Sequence, residues 1–129
     1  MVVWGGGGFL DTGGRYDPVT DAWTETSRTN APAARHQHAA VWTGSVMFVW
    51  GGEGAGSIIL NSGGRYDPIS DAWADVSTAA SPSGRVHHTA VWTGSRVVVW
   101  GGSASQSGSP LNTGAQYNPE ADTWAATRT

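Results

Sequence analysis

The sequence predicts an all-β fold built from repeated units of short antiparallel strands. Val, Thr, Trp and Tyr dominate between Gly-rich turns, and few windows carry the Leu, Glu, Lys and Ala that favour helices. A twelve-residue phrase occurs twice, as VWTGSVMFVWGG at 41–52 and VWTGSRVVVWGG at 91–102, and its end, VVWGG, lies at 2–6. A phrase that recurs at this distance indicates a fold made of successive modules.

The repeat has a period close to 50 residues and a fixed internal spacing. Tyr16 and Tyr66 are 50 residues apart, Tyr117 follows 51 residues later, and a Trp comes seven residues after each Tyr. Aligned without gaps, residues 31–52 and 81–102 are identical at 13 of 22 positions, which indicates a recent duplication or a consensus design. Only the stretch after the double Gly varies in length, and a packed strand would not tolerate such insertions. We therefore predict that this stretch is a surface loop.

Each unit divides into four strand signals, which we name A to D in chain order. Strand A covers 38–42 and 88–92, strand B 46–51 and 96–101, and strand C 13–17, 63–67 and 114–118, while strand D starts at 22, 72 and 123. A TGS turn joins A to B, where Gly44 and Gly94 can take positive φ. Between C and D, the Asp or Asn of D-P-x-x-D or N-P-x-x-D can cap the turn, and the Pro fixes φ at its first corner.

These motifs together resemble the kelch repeat, in particular bacterial kelch-like chains. Paired Gly after an apolar strand, Tyr-Asp-Pro, a Trp seven residues after the Tyr, and Arg-x-x-His before the next strand recur in register over almost the whole chain. The resemblance implies a β-propeller in which each repeat is a four-stranded antiparallel blade. Residues 1–129 would then form one segment of about three repeats. Blade 1 (1–28) would have strands B–D only, without the innermost strand, and blades 2 (34–78) and 3 (84–128) would be complete.

Residues that recur between units are expected to serve blade structure, because every blade must pack on its neighbours. We expect the strand-D tryptophans among them to lie in the core. For His38 and His88 the alternative is a ring of imidazoles that binds a metal or an anion at the channel. The recurring set is Gly5, Gly6, Gly51, Gly52, Gly101, Gly102, Tyr16, Tyr66, Tyr117, Trp23, Trp73, Trp124, Arg35, Arg85, His38 and His88.

Three blades would make an open arc, since kelch propellers usually contain more. Each uncovered end would show about 300 Å² of flat sheet, which is at the limit for a soluble monomer. Two arcs joined head to tail would cover on the order of 1,200 Å², the size of a specific interface. We therefore predict a homodimer that closes a six-bladed ring, so that each chain is half of the ring. The alternative is that Met1 is an internal residue of a longer protein.

Residues that differ between the units are the candidates for ligand binding, because recognition is built from variation on a fixed scaffold. They are Phe9, Glu53, Ile58, Ile59 and Gln106 in the loops after the double Gly, together with His36 and His87, which do not lie at matching positions. The leading hypothesis is a non-enzymatic scaffold that self-assembles and binds a protein or a glycan through these loops or the channel mouth. The alternatives are a designed, truncated or amplified fragment without a ligand, and a carbohydrate-active enzyme of the isomerase or lyase kind.

Composition and charge argue against several other functions. The net charge of −3 with scattered Arg gives no basic surface for nucleic acid, and no apolar run is long enough to span a membrane. The absence of Cys excludes disulfides, Cys-based zinc sites and thiol nucleophiles. The D-P-x-x-D turns lack the dense oxygen ligands of a calcium loop, and no phosphate-loop motif occurs. We expect no catalytic residue, no metal site and no cofactor.

The sequence does not assign a compartment. The stretch MVVWGGGG has neither the charged segment nor the long apolar segment of a signal peptide, so we expect a soluble protein whose export would need a signal outside this sequence. Lys is absent while Arg, Ala and Gly are plentiful, which is typical of a GC-rich bacterial genome.

Overall fold

The computed structural model describes residues 1–128 and confirms the predicted fold class: the chain is all-β apart from one 3₁₀ turn, Ala55–Ser57. Blade 1 contains β1 (Val2–Trp4), β2 (Gly13–Asp17) and β3 (Ala22–Glu25). Blade 2 contains β4 (Ala39–Trp42), β5 (Met47–Trp50), β6 (Glu53–Gly54), β7 (Ile58–Ile59), β8 (Gly63–Asp67) and β9 (Ala72–Asp75). Blade 3 contains β10 (Thr89–Trp92), β11 (Val97–Trp100), β12 (Gly114–Asn118) and β13 (Thr123–Ala126).

The sheets have the order that a propeller blade requires. Blade 2 is the antiparallel sheet β4-β5-β8-β9, blade 3 is β10-β11-β12-β13, and blade 1 is the three-stranded sheet β1-β2-β3. The A strands of blades 2 and 3, β4 and β10, lie next to each other. Since antiparallel strands alternate in direction, the B–C and D–A connections lie at one face of the arc, which we call the loop face. The A–B and C–D turns lie at the opposite face, which we call the turn face.

The loop after the double Gly of blade 2 differs from the prediction, because it contains a small ribbon. Glu53 pairs with Ile59 and Gly54 pairs with Ile58. Gly56, with φ +71°, allows the chain to reverse between the two short strands. The described residues therefore contain thirteen strands, whereas the sequence predicted eleven.

The hydrophobic core lies between the sheets. Alternate residues of β5 point to opposite faces, so Met47 and Val49 face blade 1 while Phe48 and Trp50 face blade 3. The cluster between blades 1 and 2 consists of Trp4, Met47, Val49, Tyr66 and Trp73. The cluster between blades 2 and 3 consists of Phe48, Trp50, Val76, Val97, Val99, Ala115, Tyr117 and Trp124. Each junction is thus formed by two sheets, and neither sheet encloses a core alone.

The outer sheets of the arc expose the positions that are buried at the junctions. Trp23 is 54% exposed, although the sequence placed it in the core with Trp73 and Trp124, which are 5% and 7% exposed. The difference arises because no sheet among the described residues covers that side of blade 1. Trp100 of blade 3 is 40% exposed, whereas its counterpart Trp50 is fully buried. We call the surface of Met1, Val3, Tyr16 and Trp23 the first end face and that of Val98 and Trp100 the last end face.

Within residues 1–128, no helix has the length and the apolar character needed to cross a membrane.

Candidate functional site

The junction between blades 1 and 2 is closed by polar contacts around one tryptophan. The indole N–H of Trp73 donates to the Ser27 carbonyl at 2.9 Å, and the Ser27 N–H donates to Asp71 Oδ1 at 2.9 Å. Arg15 donates from Nη1 to the Pro68 carbonyl at 3.0 Å and lies 3.8 Å from Asp71 Oδ2. These contacts tie the C–D turn of one blade to the strands of the blade before it.

The second junction repeats this geometry. The indole N–H of Trp124 donates to the Ser77 carbonyl at 2.8 Å, the Ser77 N–H donates to Asp122 Oδ1 at 2.9 Å, and Arg65 donates to the Pro119 carbonyl at 2.7 Å. Because the same contacts recur, the recurring Tyr, Trp and Asp positions of the sequence meet at the joints between sheets.

A tyrosine hydroxyl fixes the carboxylate at each junction. Tyr66 donates to Asp71 Oδ1 at 2.5 Å, and Tyr117 donates to Asp122 Oδ1 at 2.6 Å. The Tyr66 hydroxyl and the Ser27 N–H together hold the pKa of Asp71 below its usual value. Burial, reinforced by the bond to Asp71, raises the pKa of Tyr66, so the hydroxyl keeps its proton and remains a donor at neutral pH.

Two buried arginines tie the D–A connections to the B–C loops. Arg35, which is 1% exposed, donates from Nη1 to the carbonyls of Gly51 at 3.1 Å and Ser62 at 2.7 Å. Burial lowers the pKa of Arg35 to about 10, so the side chain is still charged at neutral pH. Arg85 makes the same pair of bonds, to the carbonyls of Gly101 at 2.9 Å and Thr113 at 2.7 Å.

The recurring histidines lie against the paired glycines of the preceding blade. A Cβ on Gly51, whose φ is +72°, would stand 2.6 Å from the His88 ring, and one on Gly5 would stand 2.8 Å from the His38 ring. The His88 ring also contacts Trp50 edge to face, with centroids 5.4 Å apart. Burial, with the charge of Arg85 nearby, lowers the pKa of His88 to about 4, so it is neutral at neutral pH.

The first variable cluster on the loop face is aromatic. Phe9, from the B–C loop of blade 1, stacks edge to face on His36 of blade 2, with ring centroids 4.5 Å apart. Phe9 is 39% exposed and His36 is half-buried, so part of the pair is open to solvent. This cluster joins two of the residues that the sequence proposed for ligand binding.

The second variable cluster is polar and joins blades 2 and 3. The Gln106 side-chain amide donates to Gln37 Oε1 at 2.6 Å and to Glu53 Oε2. Glu53 is only 5% exposed, so the exposed Gln106 is the part of this cluster that a ligand would reach first. Sequence reasoning missed Gln37, although its alignment with His87, also at φ 55°, was a usable signal.

The remaining candidates lie on the same face outside these two clusters. Ile58 is 61% exposed and Ile59 is half-buried on the ribbon, and His87 is exposed on the connection before β10. Among residues 1–128, no group of three or more His, Asp or Glu side chains is placed to hold a metal ion.

Comparison with known proteins identifies the repeats. The whole chain, residues 1–129, matches the family model of the KLHDC2/KLHL20/DRC7 Kelch-repeats domain. The chain belongs to the kelch-repeat family. No curated protein matches the sequence. Kelch-repeat domains generally mediate protein interactions on a β-propeller, and the blade-like sheets described here are consistent with part of one.

The kelch arc also has a groove on each side of blade 2. One, of about 680 Å³, opens between blades 2 and 3 and is lined by Thr43, Arg65, Trp73, Trp92 and Arg96 among others. The other, of about 560 Å³, lies between blades 1 and 2, and its lining includes Val2, Tyr16, Ala40, Trp42 and Met47. The second groove is the more apolar of the two and runs beside the three-stranded kelch blade.

Proposed function

We propose that this kelch arc is a non-enzymatic scaffold that binds a protein or a glycan on its loop face and closes into a propeller by self-assembly. The observation that carries the proposal is that the recurring and the variable parts of the repeats occupy different places in the fold. Those that recur between repeats form the joints, whereas the differences in length between repeats are confined to the B–C loops on the loop face. Binding sites are commonly built from variable loops that a rigid scaffold holds in place.

The chemistry of the loop face suits a ligand with both apolar and hydrogen-bonding groups. Phe9 offers an exposed ring held by His36, and Gln106 offers an exposed amide held by Glu53 and Gln37. Aromatic rings that are fixed in place bind sugar faces and side chains at a low cost in conformational entropy. Glycans and peptides both carry the donors and acceptors that an exposed amide can pair with.

The two end faces support self-assembly, because each carries the residues that form one side of an internal junction. Within the chain, Trp50 and Trp124 meet with centroids 5.4 Å apart, and Trp100 and Trp23 hold the corresponding exposed positions. Head-to-tail contact of two arcs would bring Trp100 of one copy against Trp23 of the other at both joints. Gln116 replaces the junction arginine there, so apolar burial rather than an ion pair would have to hold the joint.

A binding screen with paired variants tests the loop face. The purified chain would be applied to a glycan array and to a displayed peptide library, and the best ligand retested with Phe9→Ala and Gln106→Ala. We expect each substitution to weaken binding about tenfold or more, as is usual for anchor residues. Glu120→Ala, at an exposed position on the turn face, is the control. Binding that depends on Glu120 and not on Phe9 or Gln106 would refute the assignment of the loop face.

A mass measurement in solution tests self-assembly. We expect about 27 kDa, twice the 13.4 kDa of one chain. Trp23→Glu and Trp100→Glu should each give monomers, and mixing the two variants should restore a dimer with one intact joint. Ile69→Ser, at a position 93% exposed on the turn face, should leave the mass unchanged. A wild-type monomer at high concentration would refute ring closure, and a Trp100→Glu dimer would show that the arcs pair through the same face.

A further inference from the structure

Glu53 is a nearly buried carboxylate on the loop face that has no cationic partner within residues 1–128. It is 5% exposed, and the ion pairs of the described chain involve Asp11, Asp71 and Asp122 instead. The Gln106 amide donates to Glu53 Oε2, while no group within residues 1–128 donates to Oε1, which keeps a contact with solvent. A carboxylate that has lost most of its hydration is normally paired with a cation, because one amide donor replaces the lost water only in part.

The fold does not require a carboxylate at this position. Glu53 follows the double Gly of blade 2, and the residues that follow the double Gly of blades 1 and 3 are Gly7 and Ser103. Glu53 exchanges a pair of backbone hydrogen bonds with His36, and Ser103 exchanges the same pair with Val86. The backbone role of the position is therefore met by a serine as well as by a glutamate, and the charge is an addition of blade 2.

His36 connects Glu53 to the aromatic cluster. The backbone bonds between His36 and Glu53 measure 3.0 and 2.9 Å. Residues paired in this way direct their side chains to the same side of the ribbon, with Cβ atoms about 4.5–5.5 Å apart. The His36 ring also packs edge to face on Phe9. The two variable clusters therefore form one continuous surface, which is apolar at Phe9 and anionic at Glu53.

The acceptors on this surface suit an organic cation better than a metal ion. Hard divalent cations take about six to eight oxygen ligands, and within residues 1–128 no group of three or more His, Asp or Glu side chains is placed to hold one. Gln106 uses Nε2 for its bonds to Glu53 and Gln37, so its own Oε1 is left as an acceptor. A guanidinium carries several N–H donors in one plane, pairs with carboxylates and stacks on aromatic rings. An arginine side chain therefore matches both the oxygens and the Phe9 ring.

We propose that the surface of Phe9, His36, Glu53 and Gln106, which we call the cation site, binds an arginine side chain of a protein partner. The apolar stem of the arginine lies on Phe9, and its guanidinium donates to Oε1 of Glu53 and to Oε1 of Gln106. This assignment rests on the loop-face binding proposed above and narrows the ligand to a protein segment with an exposed arginine. The cation site is built at the two internal junctions, so it does not need ring closure.

Two peptides that differ in one charge test the cation site. The probes are acetyl-Gly-Ser-Arg-Ser-Gly-amide and the same peptide with citrulline, which has nearly the shape of arginine but no charge. Each is titrated into the isotope-labelled chain, and its affinity is read from the NMR shifts of Phe9, His36 and Gln106. We expect saturable binding of the arginine peptide and at least about tenfold weaker binding of the citrulline peptide, since a charge-assisted pair is lost. Equal affinities would overturn the proposal.

Variants of the chain separate the cation site from general attraction to a net charge of −3. Glu53→Gln keeps the shape of the side chain, and Glu53→Ser introduces the residue type that blade 3 has at this position, so both should fold. Each should weaken binding of the arginine peptide about tenfold and that of the citrulline peptide less than about twofold, because the two charges are coupled. Glu120→Gln removes an exposed carboxylate on the turn face and is the matched control. An equal loss in Glu120→Gln, or no loss in the Glu53 variants, would overturn the proposal.

The glycan array and the displayed peptide library distinguish a failure of the cation site from a failure of loop-face binding. We expect the selected peptides to be enriched in arginine and to lose affinity in Glu53→Gln. A ligand that depends on Phe9 and Gln106 but binds Glu53→Gln as well as wild type would support loop-face binding and overturn the cation site. A glycan with that behaviour would have the same meaning. No loop-face ligand in either screen, and no binding of the arginine peptide at millimolar concentration, would overturn both.

Discussion

The junctions inside the arc and the end faces outside it carry the same residue types in the same register but in different surroundings. Tyr16 donates to Asp21 at 2.7 Å as Tyr66 does to Asp71. Yet Trp23 is 54% exposed where Trp73 is 5% exposed. The comparison shows that burial in this fold is a property of the neighbouring sheet. A blade has two faces to cover, and its stability therefore comes from its interfaces.

A pair of tryptophan substitutions should produce the largest difference in stability between a junction and an end face. Trp73→Ala empties a position between two sheets and should cost about 3–5 kcal/mol of the free energy of unfolding, as large core truncations do. Trp23→Ala, measured in the Trp100→Glu background to keep the chain monomeric, should cost less than about 1 kcal/mol. Urea denaturation measures both. Equal losses would mean that the end face is already packed in the monomer.

A matched pair of glycines sharpens the comparison. Gly51 and Gly101 share a left-handed backbone, with φ of +72° and +69°. The His88 ring covers only Gly51, since the nearest atom to a Cβ on Gly101 is the Leu111 carbonyl oxygen at 3.7 Å. Alanine at either position should cost about 1–2 kcal/mol for the backbone strain.

The clash with His88 should add about 1–2 kcal/mol at Gly51 alone, as overpacking does. Thermal unfolding of the two variants gives the difference. A larger loss for Gly101→Ala would contradict the assignment of the His88 ring as the feature that requires Gly51.

The last test is a pH dependence at the junction between blades 2 and 3. His88 has a pKa lowered to about 4, against the ordinary value of 6.5, so the unfolded chain binds a proton in this interval that the folded chain does not. Stability should therefore fall as the pH falls from 6.5 toward 4. His88→Gln, which stays neutral, should flatten this part of the profile of the urea midpoint against pH. An unchanged slope would show that His88 is open to water.

Much of the fold was predictable because turn signals bracket the strands. The predicted C strands, at 13–17, 63–67 and 114–118, have the bounds of β2, β8 and β12, since each begins at a Gly that follows Thr or Ser and ends at the Asx of an Asx-Pro turn. The A strands are one residue shorter than predicted. His38 and His88 lie just outside them, because Gln37 and His87 take a left-handed conformation that ends the extended chain.

The features that the sequence did not predict depend on contacts between units. The ribbon β6–β7 has strands of two residues, which are too short for any alternation of apolar and polar residues to show. The bond between Gln37 and Gln106 joins residues 69 apart in different blades. Trp23 is exposed because no sheet among the described residues covers that side of blade 1. A repeat gives a residue's position within its own unit, and these features depend on the unit next to it.

The tryptophan pairs at the two junctions have nearly the same geometry. Trp4 meets Trp73 at 5.3 Å and 61°, and Trp50 meets Trp124 at 5.4 Å and 57°. Successive sheets in this chain are therefore separated by the same pair of indole rings. We expect a smaller ring in place of Trp73 or Trp124 to bring the two sheets of that junction closer together, so that the spacing would no longer be the same at both junctions.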